Sequence, residues 1–334
     1  MKLKINIKQI SDKTGFSPAT VSNALNQKHG VNRETAEVII RTARELGYMA
    51  GDSIHKIKLV VYRRTGLIID GTPFFTQLIN GFEKECRLAG YEMSIMYLDR
   101  WGEEFEEQVH QLLTDISCGV VLLGSELMED DLDFFKDTAC KFMTFDYWST
   151  DMRYNGVTIN NIDSVNAAVN YLIAHGHKRI GYLYGDFRIR AFCERESGYD
   201  MALAAHGLKS AEGDRIELAT TMDGAYADMK KYLEQKKDLP TAFFADNDMI
   251  ALGAMKAMQE AGIRIPEDVS VIGFDDLPFS QISSPRLTSM KVPKQEMGEQ
   301  AARCMIEILK NEHPAITRIQ IGTEFMERDS VATI

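Results

Sequence analysis

The sequence predicts an α/β protein: an N-terminal three-helix head followed by a larger core of parallel sheets with helices on both faces. Three observations predict it. The first 48 residues carry only helical patterns, split by a glycine turn. From Leu59 onward, short apolar strands alternate with amphipathic helices. The charge divides near the same place. Through Lys58 there are ten Lys and Arg against five Asp and Glu, a net +5, while the remainder carries 28 against 44, a net −16. A basic head on an acidic body confines nucleic-acid contact to the head and repels the body from phosphates.

The head is organised around Ile5–Asn26. Asn6 can cap a first short helix, with Ile7 and Ile10 on one face. Gly15 tolerates φ > 0 and supplies the turn. Ser17 can cap a second helix, and Pro18 suits its first turn, where a backbone N–H has no intrahelical partner. Val21 and Leu25 are spaced to bury one face, while Ala19, Thr20, Ser22 and Asn23 are short. Two short helices across a tight turn make either a helix-turn-helix, whose second helix fits the DNA major groove, or a plain helical hairpin. Asn32 can cap a third helix. Ala36, Ile39, Ile40, Ala43 and Leu46 recur at helical spacing within it, and Gly47 sits just past its end.

Tyr48–Lys58 reads as a linker. Beyond it, strands are expected at Leu59–Tyr62, Glu92–Tyr97, Val120–Leu123, Phe142–Phe145, Ile180–Tyr184, Ala242–Phe244 and Val269–Phe274. Helices are expected from Phe75 to about Cys86, stopped by Gly90, and at Glu103–Leu113, Ile162–Ala174, Arg195–Ala205 and Met249–Ala261. Repeated strand–helix–strand units imply parallel sheets. Their number exceeds one six-stranded sheet, so two sheets with a cleft between them are expected.

With 334 residues, 45% of them apolar, the chain can bury sizeable cores. Its longest apolar runs, such as Val120–Leu123, are far too short to span a bilayer. The first ten residues lack the apolar stretch of a secretion signal. Five scattered cysteines without a C-x-x-C pattern read as reduced, mostly buried thiols in a cytoplasmic protein. No G-x-G-x-x-G, P-loop, G-x-S-x-G or H-E-x-x-H occurs, so neither an enzyme nor a cofactor is expected. His175 and His177 could pair on a metal, but a polar helix-ending turn fits their surroundings better, and no metal is expected.

Several spaced motifs carry a family resemblance. A-T-V-S-N-A-L-N, then G-V-N-R-E-T and E-L-G-Y, resemble the DNA-binding head of LacI/GalR-family transcription regulators, ungapped from Ile5 to Tyr48. T-P-F-F (Thr72–Phe75), A-H-G-H-K-R-I-G-Y (Ala174–Tyr182), R-E-S-G-Y (Arg195–Tyr199), A-D-N-D-M-I-A-L-G-A-M-K (Ala245–Lys256), I-P-E-D-V-S-V-I-G-F-D-D (Ile265–Asp276) and E-R-D-S (Glu327–Ser330) resemble the family's effector-binding core. That core is similar to periplasmic sugar-binding proteins. The resemblance implies a head at 1–48, a shortened linker at 49–57 and an effector-binding, dimerising core at 58–334. Within the core it implies one subdomain of about 58–156 plus 289–317 and another of about 157–288 plus 318–334. It also implies a homodimeric repressor that reads pseudo-palindromic operator DNA and responds to a small polar effector, with no membrane partner. Ser17, Pro18, Ala19, Thr20, Ser22 and Asn23 fall on the family's DNA-contacting positions, with Pro18, Ala19 and Asn23 facing bases and Thr20 and Ser22 nearer phosphate. The linker departs from the family pattern, lacking Pro-Asn after the tyrosine and the Ala-Arg-x-Leu hinge run. Ile54 or Ile57 could stand in for the leucine that enters the minor groove. The Arg63–Gly71 loop is longer than the family pattern.

Ligands of open α/β sheets sit beyond the carboxyl ends of strands. Asp146, Asn247 and Asp275 follow predicted strands and so face the expected cleft. A carboxylate accepts hydrogen bonds from adjacent sugar hydroxyls, and an amide both donates and accepts. Arg195, near another strand end, offers a planar fork of donors. Thr72, Phe74 and Phe75 lie in the first family motif of the core, and the two rings suit the apolar face of a pyranose or a base. Tyr147 and Trp148 are candidate ring walls. Alternatively, Asp246 and Asp248 cap the next helix, Asp275 and Asp276 form an ordinary polar turn, and the phenylalanines are core. A sugar or sugar derivative is the expected effector; the alternatives are a nucleobase-responsive regulator of the same fold, or a cytoplasmic sugar-binding protein.

Overall fold

The structure is a computed structural model and describes residues 6–25, 31–46, 54–136, 138–211, 213–235, 238–311 and 315–334. The head has three helices, α1 (Ile7–Thr14), α2 (Pro18–Leu25) and α3 (Arg33–Leu46). Asn6 caps α1 in a reciprocal pair with Gln9, and Gly15 turns the chain at φ 77°. Ser17 Oγ accepts the Thr20 N–H at 3.1 Å and Asn32 Oδ1 that of Thr35 at 2.9 Å, so the first turns of α2 and α3 are both capped. Ile10, Val21, Ala24, Ile39 and Ala43 close a small core between the helices. The Gly47 stop and the linker through Ser53 lie outside the described residues.

The core follows as β1 (Lys56–Arg63), α4 (Phe74–Leu88), β2 (Glu92–Asp99), α5 (Phe105–Thr114), β3 (Cys118–Leu123), β4 (Lys141–Phe145), β5 (Asn155–Ile159), α6 (Asn161–Ala174), β6 (Ile180–Gly185) and α7 (Arg190–Ala205). It continues through β7 (Arg215–Leu218), α8 (Met222–Gln235), β8 (Ala242–Ala245), α9 (Asp248–Glu260), β9 (Ser270–Asp275), α10 (Pro278–Ile282), β10 (Thr288–Lys291), α11 (Lys294–Lys310), β11 (Arg318–Ile321) and β12 (Glu324–Met326). Two six-stranded sheets result. The first runs β11-β5-β4-β3-β1-β2 and is wholly parallel. The second runs β12-β10-β9-β8-β6-β7, with only β12 antiparallel.

The chain passes between the sheets after β5, after β10 and between β11 and β12. Each passage falls a few residues later than expected, because β5 and β11 stay with the first sheet and β10 with the second. Helix α7 begins at Arg190 rather than Arg195, which places Arg195 in its second turn. Strand β1 begins at Lys56. Ile57 is fully buried in it, paired with Met93 and Gly119, so this residue belongs to the core and cannot serve as a minor-groove wedge. Ile57, Leu59 and Val61 face the central core while Val60 and Tyr62 face the outer one, the period of two of a strand covered on both sides. Helices α4 and α11 pack closely under the first sheet. A Cβ on Gly81 would lie 2.0 Å from the Gln295 carbonyl oxygen and one on Gly298 2.0 Å from that of Leu78, so both contacts require glycine.

Candidate functional site

The core's cleft forms where strand ends of the two sheets face each other. From the first subdomain, Ser125 and Asp146 follow β3 and β4, and Thr72, Phe74 and Phe75 come from the start of α4. From the second, Thr220, Asn247 and Asp275 lie at the ends of β7, β8 and β9, and Arg195 reaches in from α7. The space between them is about 470 Å³, including its open mouth. Thr72, Phe74, Phe75, Asp146, Arg195, Asn247 and Asp275 line it as expected, whereas the two expected ring walls, Tyr147 and Trp148, do not. The Tyr147 ring points to the opposite face of the first sheet and packs into the outer core with Tyr62, Leu127 and Phe135. Trp148, the other expected wall, bridges the subdomains instead. Its indole N–H donates to Glu194 Oε1 at 2.8 Å, and the guanidinium carbons of Arg318 and Arg190 stand 3.3 and 4.1 Å from its ring centroid.

Arg195 is 3% exposed and held from several sides. Its Nε donates to Asn161 Oδ1 at 3.0 Å, one terminal nitrogen donates to the Asp246 carbonyl, and the other lies 3.5 Å from Asp275 Oδ1. The Phe274 ring lies beneath the guanidinium at 3.7 Å. Asp146 and Asp275 hold backbone φ values of 55° and 101°, a region that side-chain-bearing residues enter rarely. Burial, partly offset by the Ser125 hydroxyl at 2.5 Å and by Arg195, pushes Asp146 up to about 6. Burial also raises Asp275, against the pull of Arg195 and Lys294.

The alternative reading, in which Asp246 and Asp248 cap α9, is corrected. Asn247, not Asp246 or Asp248, accepts the Ile250 N–H at 3.0 Å, which occupies its carbonyl oxygen and leaves its amide nitrogen for the cleft. Asp246 and Asp248 are buried behind the cleft. Asp246 accepts from the Gly185 N–H at 2.9 Å and pairs with Arg188 at 2.5 Å. Asp248 accepts from the Leu277 N–H and from the hydroxyls of Ser280 and Ser289, and burial with Asp275 nearby raises it to about 7. Thus Asp248 fixes the turn that presents Asp275. His177 has both ring nitrogens engaged, with Thr241 Oγ1 at 2.9 Å and the Ala332 carbonyl at 3.1 Å, and pins the C-terminal segment.

The long Arg63–Gly71 loop roofs the cleft, with Leu67, Ile68 and Gly71 in its lining. It folds around one fully buried carboxylate, Glu126. Glu126 Oε2 accepts the backbone N–H groups of Arg64, Thr65 and Gly66, each at 2.8 Å, and Oε1 accepts those of Ile68 and Ile69 at 2.8 and 3.1 Å. Sequence reasoning missed Glu126, Ser125 and Thr220. Ser125 and Thr220 each stand two residues past a strand, the same spacing that marks Asn247, but β7 is too short and too polar to be seen.

In the head, Pro18 and Ala19 are exposed on α2, Ser22 and Asn23 lie one turn further along, and Val21 and Ala24 face inward. Ser17 and Thr20 are joined hydroxyl to hydroxyl at 2.8 Å at the helix start.

A sequence model of the periplasmic binding protein-like domain matches residues 169–331. The HTH-type transcriptional repressor PurR of Vibrio atlanticus (strain LGP32) is 30% identical over 333 residues, covering 98% of this chain and 99% of the relative. The chain belongs to the LacI/GalR family. This LacI/GalR-type chain is a DNA-binding transcription regulator, not an enzyme. PurR of Haemophilus influenzae (strain PittEE) is 28% identical over the same span. Among solved structures, the complex of the transcriptional regulator CelR with cellobiose matches with TM-score 0.74 and 28% identity, over 98% of this chain and 99% of that one. The lac repressor dimer bound to operator and the anti-inducer ONPF matches with TM-score 0.72 over 99% of this chain and all of that one; at 20% identity it speaks for the fold alone. No helix among the described residues is long and apolar enough to cross a membrane.

Proposed function

We propose that this regulator is a cytoplasmic homodimeric repressor whose operator affinity is set by a neutral sugar bound in the cleft. The observation that carries the reading is the placement of Asp146 on one subdomain and Asp275, Asn247 and Arg195 on the other, with Phe74 and Phe75 beside them. A polyol bridging the two sides would tie the subdomains together, so the bonds that give affinity would also drive closure and alter the spacing of paired heads. CelR, solved in complex with cellobiose, supports a carbohydrate. The head would contact operator DNA through Ser17, Pro18, Ala19, Thr20, Ser22 and Asn23. One three-helix head makes few contacts, and two-fold dimers match pseudo-palindromic half-sites, which supports a homodimer.

The test is calorimetry of the full chain against neutral mono- and disaccharides, with free nucleobases as the competing panel. Asp275→Ala should weaken the bound sugar at least about tenfold, since an unpaired buried hydroxyl costs roughly 1–3 kcal/mol and 1.4 kcal/mol is a factor of ten. Operator binding without sugar should persist. Binding of a nucleobase and no sugar would replace the carbohydrate reading, and unchanged affinity in a folded Asp275→Ala protein would remove Asp275 from the site.

A further inference from the structure

Two of the cleft's polar atoms are buried without a hydrogen bond among the described residues: Asp275 Oδ1 and Thr220 Oγ1. Asp275 Oδ1 has the Arg195 guanidinium 3.5 Å away. Thr220 is 5% exposed, and its hydroxyl forms neither a hydrogen bond nor an ion pair among the described residues. Buried side-chain hydroxyls nearly always find a partner, because leaving one unmade forfeits its hydration for nothing.

The local chain explains how this hydroxyl is aimed. Thr220 stands in the short turn between β7 and α8. The next residue, Thr221, does the capping: its Oγ1 accepts the Gly224 N–H at 3.2 Å and its carbonyl the Ala225 N–H at 2.8 Å. Thr220 is therefore not needed to start the helix. Its methyl lies only 2.8 Å from where a Cβ on Gly185 would be, so the glycine at the end of β6 makes room for that methyl. A threonine has one methyl and one hydroxyl on Cβ and is stiff about χ1. Seating the methyl over Gly185 leaves the hydroxyl on another side.

We propose that Thr220 is a specificity-determining residue of the cleft, its hydroxyl reserved for a hydrogen bond to a hydroxyl of the effector. The proposal rests on reading the cleft as the effector site. It also narrows the ligand class. Thr220 can donate or accept, whereas a carboxylate oxygen of Asp275 only accepts, so the ligand must carry donors. An anion would meet both Asp146 and Asp275, with Arg195 already shared among three protein partners. A neutral, hydroxyl-rich molecule satisfies both atoms.

The test uses full-length Thr220→Val, which swaps the hydroxyl for a methyl at similar volume, and Thr220→Ser, which keeps the hydroxyl. Melting temperature is measured without ligand, and affinity by calorimetry for whichever of glucose, galactose, ribose and cellobiose raises the wild-type melting temperature. Thr220→Val should melt at or above wild type, because it removes a buried hydroxyl that has no partner, and should bind at least about tenfold more weakly. Thr220→Ser should bind within a few-fold of wild type. A Thr220→Val protein that melts several degrees lower would show that the hydroxyl has a structural partner, and unchanged affinity would show that it does not touch the ligand; either overturns the proposal. If none of the four sugars raises the wild-type melting temperature, the carbohydrate reading fails. The Thr220 proposal, which needs a hydroxyl-bearing effector in the cleft, then falls with it, whereas a sugar that binds wild type and Thr220→Val equally overturns the Thr220 proposal alone.

Discussion

Replacing Glu126 by glutamine should be far from conservative. The carboxylate is fully buried and accepts five backbone N–H groups, three on Oε2 and two on Oε1. Glutamine keeps the shape but has one acceptor oxygen; its other terminus is an NH₂. In the better orientation the carbonyl serves Arg64, Thr65 and Gly66, and the NH₂ is pressed against the N–H groups of Ile68 and Ile69. The opposite orientation sets it against three. Hydrogen bonds to charged groups contribute about 1.5–3 kcal/mol each, and an unsatisfied buried donor costs about 1–3 kcal/mol. Two lost donors therefore bound the damage from below at roughly 2–3 kcal/mol, and a loop that swings out to water limits it from above. In a core of this size that is roughly a 5–10 °C fall in melting temperature. Thermal melts of Glu126→Gln and Glu126→Ala measure it, and amide exchange at residues 64–69 localises it. The glutamine variant should lie closer to alanine than to wild type. A glutamine variant melting within about 1 °C of wild type, with those amides still protected, would refute the reasoning.

Three further outcomes are expected. Ile57→Ala should cost about 2–5 kcal/mol of core stability by opening a cavity beside β2 and β3, with no DNA-specific defect; weakened operator binding at an unchanged melting temperature would return Ile57 to the hinge. Asn23→Ala should cost about 1–3 kcal/mol per half-site and relax preference at one base pair, because a paired amide contact reads an adenine edge; equal weakening on all sequences would mark a phosphate contact instead. Asp146, raised to about 6 in the fold, binds more protons there than in the unfolded chain between roughly pH 4 and 6. Its contribution therefore makes stability fall as pH rises through that window. Asp146→Asn should flatten that part of the melting profile, and an unaltered slope would mean that the carboxylate titrates normally.

Much of this arrangement can be read from residue order. The head is legible because caps, turn glycine and apolar spacing agree: Asn6, Gly15, Ser17 and Asn32 each do what their chemistry suggests. The strand ends that carry Asp146, Asn247 and Asp275 are legible because continuous apolar runs precede them. Other elements carry weak patterns. Helix α11 hides because its buried face includes Gly298, Ala301 and Ala302, small residues chosen by close contact with α4 rather than by hydrophobicity. Strands β7, β11 and β12 span only three or four residues each and lie at sheet edges, where one side needs no apolar residue. Tyr147 misleads because neighbouring residues at a strand end can turn to opposite faces, so adjacency to Asp146 says nothing about sharing its cleft. Glu126 is illegible for a different reason: its partners are main-chain groups about 60 positions earlier, and no side-chain pattern marks them.

The seat of Trp148 has an optical consequence. The chain has two tryptophans, and they occupy opposite surroundings. Trp101 is 69% exposed, so its emission is red and open to a dissolved quencher such as iodide. Trp148 has the guanidinium groups of Arg190 and Arg318 against its ring, and its indole N–H is held by Glu194 from the other subdomain. Any rotation of one half against the other must change those contacts. With Trp101 replaced by phenylalanine, the folded protein keeps a single tryptophan, at the seam between its halves, and the colour and lifetime of its light follow cleft movement without an attached dye.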